Sequence, residues 1–353
     1  MLKTTPLLSI QQVSFSYPNG VPICHNFDFH IEKGTIGCLL GPSGCGKTTI
    51  LRLVAGFERP SAGTITVDGA HFVSNTSFVA AEERKLGYVF QDFALFPHLN
   101  VTENIAFGLR ALDKSASARR VCEMLELVGL TDYAIRYPHE ISGGQRQRVA
   151  LARALAPSPK LLLMDEPFSS LDVELREKLG LEVRALLKQL NTTALFVTHD
   201  QNEAFSIADQ ISVMNHGVIE QADSAYNLYH RPTTRFVADF IGQGVLIRGR
   251  GTADGLVNTE LGLMHPTNLH ANDVVNNANY DVLLRPDDIQ HDDASPASAK
   301  VVHKAFRGAD ILYTLKLDSG TQVFSLVPSH HNHELGQKIG IQLEIDHVVA
   351  FAA

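Results

Sequence analysis

Gly41-Pro42-Ser43-Gly44-Cys45-Gly46-Lys47-Thr48-Thr49 is the stretch on which the fold turns. Its spacing wraps successive backbone N–H groups around phosphate oxygens, at the start of a helix whose dipole also favours anions. Gly41, Gly44 and Gly46 allow backbone angles and a close approach that a side chain would block. Lys47 can reach β- and γ-phosphates, and the Thr48 hydroxyl is placed to ligate Mg²⁺. The flanks agree: residues 35–40 read as a buried strand and residues 49–55 as the helix that follows. Strand, loop and helix in that order predict an α/β fold that binds a nucleoside triphosphate.

Further along, Leu161-Leu-Leu-Met-Asp165-Glu166 is an apolar run ending in two acids. Such a run suits an interior parallel strand, whose C-terminal end is where these sheets bind ligands. Asp165 is then expected to hold Mg²⁺ and Glu166 to be the base that positions the attacking water. Alone, the run is equally an ordinary strand end; the phosphate loop upstream favours chemistry. Ser142-Gly143-Gly144-Gln145 forms a second glycine-rich turn, suited to a helix N-terminus that attracts anions.

Taken in order, these motifs resemble those of the ATP-binding-cassette (ABC) ATPases. Residues 141–155 look like the family's signature motif and helix, with Ile141 where leucine is usual. The resemblance implies a homodimer in which Ser142, Gly143, Gly144 and Gln145 of one subunit close on ATP held by its partner. It also assigns Gln91 to Mg²⁺ and γ-phosphate sensing, Asp172 to the loop crossing the interface, His199 to the γ-phosphate and Tyr17 to adenine stacking. The expected set is therefore Glu166, His199 and Gln91 for catalysis, Thr48, Gln91 and Asp165 for Mg²⁺, and Tyr17 with residues 41–49 for ATP. Each late member has a bland reading: Tyr17 as a half-exposed strand aromatic, His199 as a satisfied strand-end histidine. Order and spacing make them informative together.

Residues 92–155 read as the helical subdomain of importer-type cassettes. Its apolar Phe93, Leu95, Phe96 and Leu99 either line a groove for a membrane permease or fill a local core. A periplasmic substrate-binding protein is the implied indirect partner. ABC ATPases of DNA repair insert a long coiled coil between glutamine loop and signature; no heptads occur here, so a non-transport ABC ATPase is the lesser alternative. Past residue 240 the pattern changes to short strands at 245–248, 280–284, 299–306, 311–317, 322–326 and 341–345. Leu284-Arg-Pro-Asp-Asp-Ile289 resembles a motif of the all-β, OB-like or TOBE-type regulatory domain of sugar, polyamine, sulfate and ferric-iron importer ATPases, which commonly pairs in the dimer. The expected domains are 1–240 for nucleotide binding and 241–353 for regulation. Likeness in residues 15–20 and 306–315 points to ferric iron as cargo, with sugar, polyamine or sulfate as alternatives.

Composition sets bounds. The 353 residues carry a net charge of −8, which argues against a nucleic-acid footprint. Cys24, Cys38, Cys45 and Cys122 show no paired spacing and read as reduced thiols. No run is long enough to span a bilayer, and Met1-Leu-Lys-Thr-Thr-Pro-Leu-Leu lacks a secretory core. The expected location is peripheral, on the cytoplasmic face of a bacterial inner membrane. His25 and His30, and the late His330-His331-Asn-His333, invite a metal reading. The late group lies in a loop with no Cys or carboxylate partner fixed by spacing, so a solvated turn is the expectation.

Overall fold

The computed structural model describes residues 6–18, 20–270 and 273–353. Met1–Thr5, part of the stretch read for a secretory leader, and Asn19 lie outside the described residues. The chain divides into two compact units, 1–225 and 226–353.

The first unit opens with strands β1 (Leu8–Ser16) and β2 (Pro22–Ile31), then β3 (Ile36–Leu40) and helix α1 (Lys47–Ala55). After β4 (Ala62–Val67), β5 (Ala70–Val73) and β6 (Gly87–Val89) come helices α2 (Val101–Ala106), α3 (Lys114–Leu127) and α4 (Gly143–Leu155). The unit closes with β7 (Leu161–Asp165), α5 (Val173–Gln189), β8 (Thr193–Thr198), α6 (Gln201–Ile207), β9 (Gln210–Asn215) and β10 (Val218–Asp223). One sheet has the order β10-β9-β3-β8-β7-β6, parallel except for its β10 edge. A second, antiparallel sheet has the order β2-β1-β4-β5. β3 and β8 are buried at every position, as strands covered on both faces must be. Residues of α1, both sheets and their flanks form one buried cluster, including Ile10, Phe27, Ile50, Leu51, Leu163 and Val197.

Pairing register places the site. Leu40 lies opposite Thr198, Val197 opposite Asp165, and Met164 opposite Val89. The chain therefore leaves β3, β8, β7 and β6 at one edge, and these exits carry the phosphate loop, His199, Glu166 and Gln91. The three helices between β6 and β7 start on side-chain caps: Asn100 with Glu103, Asp113, and Ser142 with Gln145. Val121 and Leu125 of α3 are buried, as is Val128 just after it.

The second unit begins at the first turn of α7 (Ala225–His230) and continues with α8 (Arg235–Phe240). Ten strands follow: β11 (Val245–Gly251), β12 (Val257–Thr259), β13 (Gly262–Met264), β14 (Asn279–Leu284), β15 (Ile289–His291), β16 (Ser298–Phe306), β17 (Asp310–Lys316), β18 (Gln322–Pro328), β19 (Lys338–Leu343) and β20 (Val349–Ala352). They form two antiparallel sheets, ordered β13-β12-β11-β14-β20 and β15-β19-β16-β17-β18, around one core that includes Ile247, Val282, Val301, Tyr313 and Ile339. The buried Arg285 guanidinium donates to the carbonyls of Tyr229, Ala238 and Gln243 at 3.1–3.2 Å and stacks over the Tyr229 ring. That grip draws α7 and α8 into the β unit, so the compact division falls at 225/226, ahead of the expected residue 240.

Candidate active site

Each glycine of the phosphate loop has its own reason. Gly44 and Gly46 have φ of +83° and +106°, the left-handed region that L side chains avoid. Gly41 has no such angle; a Cβ there would stand 2.2 Å from the Met214 carbonyl oxygen. Lys47 is buried, its Nζ donating to the carbonyls of Gly41 at 2.7 Å and Pro42 at 2.9 Å. The ammonium is thus held inside the loop by acceptors a phosphate can replace. Ser43, Gly44, Gly46, Lys47, Thr48, Thr49 and Glu166 line a cavity of about 260 Å³. The Tyr17 hydroxyl lies 3.3 Å from Thr49 Oγ1, which puts the expected adenine-stacking ring beside the loop.

Thr48 Oγ1 donates to Asp165 Oδ1 at 2.8 Å, and the Tyr88 hydroxyl donates to Oδ2 at 3.3 Å. Burial pushes the Asp165 carboxyl above the ordinary carboxylate range, and these two hydrogen bonds hold it back. A hydroxyl and a carboxylate in contact form a hard-oxygen pair that suits Mg²⁺. The third expected Mg²⁺ ligand, Gln91, is turned elsewhere: its Nε2 donates to Glu166 Oε2 at 3.3 Å and to Ser169 Oγ at 3.5 Å.

Glu166 stands at the centre of the strand exits. His199 Nδ1 lies 3.2 Å from its Oε1, so Gln91, Glu166 and His199 form one contiguous set from three strands. Glu166 has φ +41°, a strained angle for a residue with a Cβ. Its N–H donates to the Val197 carbonyl, and its own carbonyl accepts from Ser169 Oγ at 3.0 Å. Those bonds fix the turn that swings the chain off β7 with the carboxyl facing the pocket. Gln91, Asp165, Glu166, Ser169 and His199 line a cavity of about 700 Å³.

Ser142, Gly143, Gly144 and Gln145 line neither cavity. Ser142 caps α4: its hydroxyl accepts from the Gln145 N–H at 3.3 Å, and Gln145 Oε1 accepts from the Ser142 N–H at 2.8 Å. Ile141 is buried, so isoleucine fills an apolar position there. Asp172, expected at a dimer interface, is also the N-cap of α5, accepting from the Leu175 N–H at 2.9 Å.

Several supporting residues were not singled out from sequence. Arg153 of α4 donates to the carbonyls of Phe93 and Ala94 at 2.7 and 2.6 Å, gripping two consecutive residues with positive φ just past Gln91. Buried Asn104 closes the same loop, accepting from the Phe96 N–H and donating to the carbonyls of Phe96, Leu99 and Asn100. Arg176 pairs with Asp200 at 2.8 Å, and Thr198 Oγ1 donates to Glu203 at 2.6 Å, bracing both sides of His199. Only the Asn100–Glu103 capping pattern gave any local signal of this scaffold. Phe93 fills core, and the apolar cavity of this region, about 590 Å³, lies elsewhere, lined by Ala106, Leu109, Leu112, Val121 and Leu125.

Comparison with known proteins identifies the family. Residues 24–169 match the ABC transporter family model and residues 282–351 the TOBE domain model. The putrescine transport ATP-binding protein PotG of Escherichia coli is 43% identical over 94% of this chain and 90% of its own. A spermidine/putrescine import ATP-binding protein, PotA of Aliivibrio fischeri, is 40% identical over 95% and 93%. A solved structure of cbiO1 from Clostridium perfringens, part of the ABC transporter complex cbiONQ, is 26% identical and covers 62% of this chain and 88% of that one, with a TM-score of 0.58. The chain belongs to the ABC transporter ATPase family. Its fold is the ABC ATPase fold followed by an all-β TOBE-type domain.

Proposed function

We propose that this chain is the ATP-hydrolysing subunit of a bacterial polyamine importer, acting as a homodimer beneath a membrane permease fed by a periplasmic binding protein. The observation that carries the cargo is near full-length identity to PotG and PotA, whose names state putrescine and spermidine. These relatives support the polyamine alternative over ferric iron. The stretch 306–315 that suggested iron spans the β16–β17 hairpin, where Ile311, Tyr313 and Leu315 are core residues. Likeness in a hairpin built on core residues is family similarity and not cargo chemistry. Among the described residues no helix is long and apolar enough to cross a membrane. We assign permease docking to the apolar cavity between α2 and α3. In proteoliposomes holding this chain and its co-purified permease, putrescine- or spermidine-loaded binding protein should stimulate ATP turnover. Stimulation by a ferric-loaded protein alone would overturn the cargo.

The residue roles proposed here are supported by the geometry. Lys47 exchanges its two carbonyl contacts for phosphate oxygens, while the N–H groups of residues 41–49 cradle the same charge. Thr48 and Asp165 would hold Mg²⁺, with Gln91 joining them on leaving Glu166 and Ser169, and the ion would supply charge neutralisation at the phosphates. Glu166 accepts a proton from the attacking water, with His199 and Gln91 fixing its carboxyl from either side. Tyr17 stacks on adenine. The partner's signature turn brings donors to the open side of the γ-phosphate.

Cys45 offers an independent check on the loop. It is buried, its Sγ 3.8 Å from Lys47 Nζ, whereas Cys122 is exposed. In a Cys122→Ser background, maleimide on Cys45 should abolish ATP turnover. ATP at a hundred times its Kd should slow that labelling by about 100-fold. Full activity after stoichiometric labelling of Cys45 would remove residues 41–49 from the nucleotide site.

A further inference from the structure

The β unit holds a histidine cluster that ATP hydrolysis does not use. His291 ends β15, while His331 and His333 sit on the loop after β18. That loop is clamped: the Tyr313 hydroxyl donates to the His331 carbonyl and accepts from the His333 N–H, each at 2.8 Å. Lys304 Nζ donates to the His333 carbonyl at 3.1 Å and to Asn332 Oδ1 at 2.9 Å. The result is that Nδ1 of His291 and Nδ1 of His331 face each other at 3.1 Å. On its far side, His291 Nε2 lies 3.0 Å from Asp293 Oδ1. An ionised carboxylate only accepts, so Nε2 carries a proton, and it is the neutral tautomer of this arrangement that has its lone pair on Nδ1. The His333 ring centroid is 4.4 Å from that of His291, and its buried Nε2 has no hydrogen-bond partner among the described residues.

We propose that His291 and His331 chelate a borderline transition dication of the zinc class through their Nδ1 atoms. With metal–nitrogen bonds of about 2.0–2.1 Å, two neighbouring nitrogens stand about 3.3 Å apart in a tetrahedron and about 2.9 Å apart at a right angle. The observed 3.1 Å falls between these. Asp293 is the positioning residue, a carboxylate that sets the tautomer and orientation of a ligand imidazole. His331 joins without a change of charge by moving its proton from Nδ1 to Nε2. Among the described residues no three such donors already converge on one metal position. The grip therefore rests on two imidazoles, with water in the remaining positions. Imidazole ligands select zinc, copper or nickel over Mg²⁺, so the cation accompanying ATP does not compete. Bound metal would staple the 329–336 loop to β15, in a domain read as regulatory.

Zinc chloride, and separately magnesium chloride, titrated calorimetrically into the full-length, nucleotide-free protein tests this. Wild type should take up zinc in preference to magnesium and gain thermal stability from it. His291→Asn and His331→Asn should each abolish that event and the thermal gain, and Asp293→Asn should weaken it about 10–100-fold. His25→Asn, at an exposed histidine, should leave it unchanged. Matching metal-free circular dichroism and melting would establish that the variants fold. Wild-type protein that binds no zinc, folded His291→Asn or His331→Asn protein that binds it as tightly as wild type, or magnesium bound equally well would each overturn the site.

Discussion

Replacing Glu166 with Gln is expected to lower steady-state ATP turnover by about 10²–10⁴-fold, the contribution of a positioned general base. Nucleotide binding should survive. The side chain keeps its length, and the amide can offer its oxygen to Gln91 Nε2 and, once the His199 proton moves from Nδ1 to Nε2, its NH₂ to His199 Nδ1, keeping the partners now at 3.3 and 3.2 Å. What is lost is the capacity to take a proton from water. Binding contacts without chemistry should trap the ATP-bound dimer, visible as an ATP-dependent shift in size-exclusion or sedimentation. Single-turnover phosphate release measures the rate directly. A variant hydrolysing at the parental rate would remove Glu166 from the role.

Ser142→Arg should cut turnover by about 10²–10³-fold, the cost of removing donors aimed at transition-state charge. ATP binding by the same protomer should be unchanged. The variant also loses the α4 cap, a local cost of about 1 kcal/mol that leaves the unit folded. Gly144→Asp is a poorer probe, because a Cβ at 144 would come within 3.0 Å of Leu179 Cδ1 and 3.3 Å of Leu175 Cδ2. The sharper test is complementation. Ser142→Arg protein keeps a sound phosphate loop, and Lys47→Ala protein keeps a sound signature turn. Mixed, they assemble one complete site and should recover turnover that neither shows alone. No recovery on mixing, with both proteins folded and dimerising, would sink the shared-site account.

Much of the nucleotide unit was legible because its signals are local. The phosphate loop is a contiguous motif between a buried strand and a helix, and β7 and β8 are unbroken apolar runs, as interior parallel strands must be. The β unit was legible only in outline. β12, β13 and β15 are three residues long and β20 four, too short for alternation to stand out. β19 runs Lys338–Leu343, starting earlier than the expected 341–345, because its first residues pair with β16. The iron reading rested on short stretches that bear no contact with cargo, and the relatives of this chain carry polyamine names instead.

The sequence by itself determined the chemistry-bearing residue types, their order, and the α/β and all-β halves, since motif spacing and hydrophobic period are properties of neighbours along the chain. Only the tertiary structure decided which of those residues meet. Parallel register brings Gln91, Glu166 and His199 into one set, and a clamped loop carries His331 to His291. Both depend on pairing between segments far apart in the chain, where the free energy lies in contacts that no local pattern encodes.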